Sequence, residues 1–180
     1  MDRWDGFFDD LEGRVEEQRR ADELAGLADR VRRDRAGITL AARLAGVARS
    51  GVRVHVLGGE QVSGQVDEVM VDCVVLEDGG RRAVVPLASV VRVDRLGDRP
   101  GPLSLGDRPG LGRAVRDLAR DRRPVRAHDV TGVVNEGVLD RVGQDHLDLL
   151  VVPADLTVRA AEGRSRTTVP FSALAVVRQL

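Results

Sequence analysis

One pattern is written twice in this chain, and that repetition narrows the possible folds more than any other feature. Residues 64–76, GQVDEVMVDCVVL, match residues 137–149, GVLDRVGQDHLDL, at an offset of 73. Gly64 then aligns with Gly137, Val69 with Val142, Asp72 with Asp145, Val74 with Leu147 and Leu76 with Leu149. The same offset lays Arg53 and His55 on Arg126 and His128. Further along, VVPLASVVRV at 84–93 matches TVPFSALAVV at 168–177 at an offset of 84, so the second copy carries eleven extra residues in one loop. Self-similarity of this kind means one supersecondary unit built twice.

Each unit reads as a short helix, over 39–49 or 112–122, followed by five short strands. In the first strand Val52, Val54 and Val56 point one way and Arg53 and His55 the other, the period of a half-buried strand. Gly58-Gly59 and Asp78-Gly79-Gly80 are turn signals. Gly64 and Gly137 fall inside second strands, where a glycine permits a sharp bend. In the second copy the third turn becomes a loop over 153–166, and Pro86 and Pro170 separate the fourth and fifth strands. Between the copies, LGDRPG occurs twice within a Gly/Pro-rich linker over 96–110. Ahead of the first copy, Phe8, Leu11, Val15, Leu24, Leu27 and Val31 recur at helical spacing and predict a helix over 7–35. The expected organisation is an acidic amphipathic helix in 1–36, a first β unit in 37–95, the linker in 96–110 and a second β unit in 111–180.

Composition closes several routes. An apolar content of 42% over 180 residues supports packed cores. No apolar run approaches the ~20 residues of a membrane span, and the acidic start does not read as a secretory signal, so the expected location is the cytoplasm. One cysteine excludes an internal disulfide framework and a cysteine-rich zinc site. Charge is uneven: residues 1–29 carry a net −6 and residues 30–180 a net +5. There is no Lys and no Tyr, and beyond residue 8 only Phe171 could stack on a base.

A helix, five strongly bent strands, a glycine in strand two and an Asp shortly before strand three resemble the Sm-like fold, including that of the bacterial RNA chaperone Hfq. VHVLGGEQVSGQVDEVMVDCVVL followed by VVPLASV is similar to that pattern over ~45 residues, and the resemblance covers most of 39–180. Tandem Sm-like copies after an acidic helix also resemble a group of actinobacterial proteins to which no activity is attached. The resemblance implies a mainly β fold with helices: two tandem Sm-like five-stranded barrels, each preceded by a helix, plus the N-terminal acidic helix. The family's uridine grip, a Tyr-Lys-His segment before the last strand, is not carried over. Val84-Val85-Pro86 and Thr168-Val169-Pro170 stand there instead.

The candidate anion or nucleic-acid contacts are Arg53, His55, Arg126 and His128 at repeated strand positions, with Arg113, Arg116, Arg120 and Arg123 in the Arg-rich second helical stretch. The bland alternatives are a solvated strand face and a helix laced by i,i+4 ion pairs. Trp4, Phe7, Phe8 and Leu11 form an apolar cluster among acids, suited either to docking in a partner's groove or to folding back on a barrel. Cys73 reads as a packed hydrophobe. No catalytic, cofactor or metal constellation is evident, and the expected function is that of a non-enzymatic binding or scaffold protein. Its expected partner is a protein or a second copy of itself, with no membrane and no small-molecule substrate. The alternative is an RNA-binding regulator using the Arg-rich helix, which near-neutral charge and scarce rings disfavour.

Overall fold

Valine alternation produces the strand that organises the first repeat. In β1 (Gly51–Val56) Val52, Val54 and Val56 are buried, while Arg53 is exposed and His55 half-buried. The computed structural model describes residues 35–103, 110–151 and 165–180, together with Arg19, Gly26, Asp29, Arg30 and Arg32. The chain divides into two compact units, Met1–Ile38 and Thr39–Leu180. In the first, the described residues from Arg19 to Ala36 are helical, and Arg32 pairs with Asp29 at 2.5 Å. Trp4, Phe7, Phe8 and Leu11, most of the helix expected over 7–35, and residues 104–109 and 152–164 of the two loops lie outside the described residues.

The second unit is mainly β. After the helix α1 (Leu40–Ala45) and β1 come β2 (Gln61–Val69), β3 (Cys73–Asp78), β4 (Arg81–Pro86) and β5 (Val90–Asp94). The second repeat follows with α2 (Leu111–Arg120), β6 (Pro124–Asp129), β7 (Val134–Val142), β8 (His146–Val151), β9 (Ser165–Pro170) and β10 (Leu174–Gln179). All ten strands form one open antiparallel sheet in the order β5-β1-β2-β3-β4-β10-β6-β7-β8-β9. Each repeat places its fifth strand beside its first, and the repeats join where β4 pairs with β10, Val84 opposite Val177 and Ala83 opposite Arg178.

This joint explains why β3 and β4 are continuous apolar runs rather than alternating ones. Strands buried on both faces lose the polar side of the alternation. Val74, Leu76, Ala83 and Val85 pack in one core, with β1 and α1. Cys73, Val75 and Val84 face a second core, built on Leu111, Val115 and Leu118 of α2 and Leu147 and Leu149 of β8. β10 is divided in the same way: Leu174 and Val177 enter the second core, Ala175 and Val176 the first. The repeats therefore share their interiors.

The helices are short, and each is started differently. Thr39 caps α1, its Oγ1 accepting from Ala42 N–H at 3.1 Å. α2 begins after Gly110, which has no capping side chain. Asp72, from the β2–β3 turn of the first repeat, accepts from Leu111 N–H at 2.8 Å and takes that role. The linker sequence over 96–103 forms neither helix nor strand, as expected, but it is anchored. Gly101 N–H donates to Ala42 O at 2.8 Å and Arg43 donates to Gly97 O.

Gly64 and Gly137 each sit where a neighbouring strand leaves no room. A Cβ on Gly64 would stand 2.8 Å from Glu77 O, and one on Gly137 would collide with Leu150 O. Gly→Val at either position should cost ~1–3 kcal/mol, Gly137→Val more than Gly64→Val, read by thermal melting. A second comparison tests the shared interior. Val75 lies in the core at the joint, whereas its repeat counterpart is Asp148, hydrogen-bonded by Thr168 Oγ1 at 2.6 Å. Val75→Asp should cost about 3 kcal/mol or more, because it strands a carboxylate among apolar side chains. Asp148→Val should change stability by about 1 kcal/mol or less, leaving only one hydroxyl unpaired.

Candidate functional site

The repeated Arg-x-His motif is split by the fold into two chemically different sites. On β1, His55 Nε2 lies 2.9 Å from Asp94 Oδ2 and 2.9 Å from Arg92, and Arg92 pairs with Asp94 at 3.1 Å. The hydrogen bond from His55, aided by the charge of Arg92, holds the Asp94 carboxyl below the usual carboxylate range. Arg53 stays exposed, near Ser63 Oγ at 3.4 Å. This half of the motif is an outward, ion-paired strand surface.

On β6 the same motif is turned into the joint. His128 is only 7% exposed, and among the described residues its Nε2 has no hydrogen-bond partner. Nδ1 lies 3.8 Å from Glu60, which follows the β1 turn of the other repeat. Glu60 also pairs with Arg178 of β10 at 3.0 Å, and Arg126 is held by Glu136. Burial pushes the His128 pKa down. Glu60 and Glu136 oppose that shift, and Arg178 and Arg126 reinforce it. Neither Glu60 nor Arg178 was legible as a site residue, because each gains its role from the partner repeat.

The Arg-rich stretch is a helix with a charged outer face. Arg113, Arg116 and Arg120 are exposed at i, i+3 and i+7, while Leu111, Ala114, Val115 and Leu118 are buried. Asp117 stands 3.1 Å from Arg120 and 3.8 Å from Arg113. Arg116 has no carboxylate partner among the described residues and reaches only Gly143 O, at 3.5 Å. Arg123, past the end of α2, is exposed and does not join the others. The structure thus groups Arg113, Arg116 and Arg120, and sets Arg126 and His128 apart at the joint.

Arg82 was not singled out by the sequence, yet it stands at the junction of these groups. Its backbone N–H donates to Gln179 Oε1 at 3.0 Å, and its guanidinium pairs with Asp67 at 3.1 Å. Its Nε is buried without a hydrogen-bond partner among the described residues. Gln179 in turn donates to Asp121 at 3.0 Å, tying β4, β10 and the end of α2 together. Cys73 is buried, and desolvation, with Asp72 and Glu68 nearby, raises its thiol far above the range in which it would be a nucleophile at neutral pH. Among the described residues no three His, Cys, Asp or Glu side chains gather as a metal site, and no helix is long and apolar enough to cross a membrane.

No protein-family model matches this chain, and neither a curated protein nor a solved structure matches it.

The His128 site makes a pH prediction with a definite sign. A histidine whose pKa is lower folded than unfolded takes up a proton on unfolding, so stability falls as pH drops through about 6.5. Denaturant midpoints should decline between pH 7 and pH 5 in the wild type and stay flatter in His128→Leu. The depressed carboxyls of Asp94, Asp129 and Asp145 lose their contribution only at lower pH, below their ordinary value of 3.8. Equal slopes in both proteins over pH 7 to 5 would remove His128 from the account.

Proposed function

We propose that this chain is a non-enzymatic binding or scaffold protein built on tandem Sm-like barrels, recruiting its partner by strand addition at β5. Support for the Sm-like reading is the repeated unit: a helix, then five strands in which the fifth returns beside the first, with a glycine bend in the second. Support for the edge comes from comparing the two fifth strands. Ala175 of β10 is fully buried in the first core, while its counterpart on β5, Val91, is 63% exposed. The first repeat's own fifth strand thus offers an uncovered edge where the second repeat's is filled.

The opposite end of the sheet is different. β9 presents Thr168, which is bonded to Asp148, and Arg166, paired with Asp140 at 2.7 Å. Polar and charged side chains of this kind discourage pairing. β5 also carries an ion pair, Arg92 with Asp94, but of the two edge strands it alone exposes a large apolar side chain, Val91. The RNA reading has less beneath it. Arg113 and Arg120 share Asp117, Arg126 is held by Glu136, and Phe171, the only Phe, Tyr or Trp among the described residues, packs against the second core.

Self-association through β5 is the most direct form of this function to measure. Light scattering should report species larger than one chain at micromolar concentration. Val91→Arg should return it to one chain without lowering the melting temperature, since the side chain is largely in solvent. A monomeric wild type whose β5 amides exchange freely would sink the proposal.

A further inference from the structure

Arg82 separates two basic clefts, and their composition specifies a ligand. The first, of about 650 Å³, is lined by Arg82 with Arg113, Arg116, Asp117, Arg120 and Asp121. The second, of about 390 Å³, is lined by Arg82 with Arg81, Arg126, Arg178 and the single acid Asp78, along with neutral residues. Arginines outnumber acids in both. The acids of the first cleft are already engaged: Asp117 by Arg113 and Arg120, Asp121 by Gln179. In the second, Arg126 and Arg178 are engaged by Glu136 and Glu60. That leaves one guanidinium with no carboxylate paired to it in each cleft among the described residues, Arg116 and Arg81, with Asp78 opposite Arg81 across the β3–β4 turn. Arg82 lines both clefts, and its guanidinium pairs with Asp67.

Guanidinium groups recognise phosphate oxygens through paired N–H donors. Two clefts that share one arginine suit an anion with charged groups at more than one point along its length. No aromatic side chain lines either cleft, so neither provides a platform for a base. We infer that the joint between the repeats binds a short inorganic oligophosphate, bridged across Arg82 and held at its ends by Arg81 and Arg116. The site is independent of the β5 edge and lies at the seam the repeats form within one chain.

The test is titration calorimetry of the full chain with sodium tripolyphosphate at constant ionic strength. The expected result is saturable binding of one tripolyphosphate per chain, weakened at least tenfold in Arg116→Gln and in Arg81→Gln. Both side chains are solvent-exposed, so these variants stay folded, and unchanged melting confirms it. Arg82→Gln should weaken binding further, and it supplements the two surface variants because its backbone and side chain also serve the joint. No saturable heat, heat equalled by sulfate at matched ionic strength, or affinity unchanged in both surface variants would overturn the assignment. So would displacement of tripolyphosphate by a uridine oligonucleotide at equal phosphate concentration, or tenfold tighter binding of ATP, because either would mean that a base is being read.

Discussion

Backbone pairing between β4 and β10 is the contact on which the second unit depends. It converts two five-stranded repeats into a single ladder and buries both faces of β3 and β4. Side chains reinforce it at several points. Ser89 Oγ lies 2.8 Å from both Pro86 O and Ala175 O, straddling the two repeats, and Gln179 accepts from β4 while donating to Asp121. Asp72 adds the start of α2 to the same seam. Each of Ser89, Gln179 and Asp72 makes at least one of its hydrogen bonds to the opposite repeat.

Much of this was legible in the sequence. The offset of 73 located β1, β2, β3 and their counterparts, the alternation at Val52, Val54 and Val56 gave the buried face of β1, and Gly64 and Gly137 were marked as bends. The helices came out shorter than their patterns. α1 stops at Ala45, and just past it Gly46 leaves no room for a side chain beside the backbone of Arg99 and Gly101, more than fifty residues away in sequence. The unequal fates of aligned residues were not legible. Val75 and Asp148 occupy one repeat position, and only the topology says that the first meets the other repeat's core while the second pairs with Thr168 of its own repeat. Arg82 follows a turn and looks like an ordinary solvated residue, because Gln179, which accepts from its N–H, lies far along the chain on β10.

The copies diverge in the surroundings of aligned residues. His55 keeps a carboxylate and an arginine beside it in the outer position, whereas His128 is packed inside with a glutamate borrowed from the first repeat. Asp94 and Arg178 are repeat counterparts of opposite charge, one facing its own histidine and the other pairing with Glu60. Opposite charges at matched positions give each repeat its own identity, so the order of the two along the chain is built into their surfaces rather than left to the linker.

The anchoring of the linker's first half has a consequence of its own. Arg43 and Ala42 hold residues 97 and 101 against α1, so part of the covalent connection is already spent before the chain leaves the first repeat. Joining the repeats in one chain raises the local concentration at which the second meets the first, because closing a loop costs entropy that grows with its length. The seam therefore forms under conditions so dilute that two separate repeats of the same sequence would seldom meet, and its occupancy does not vary with how much of the protein is present.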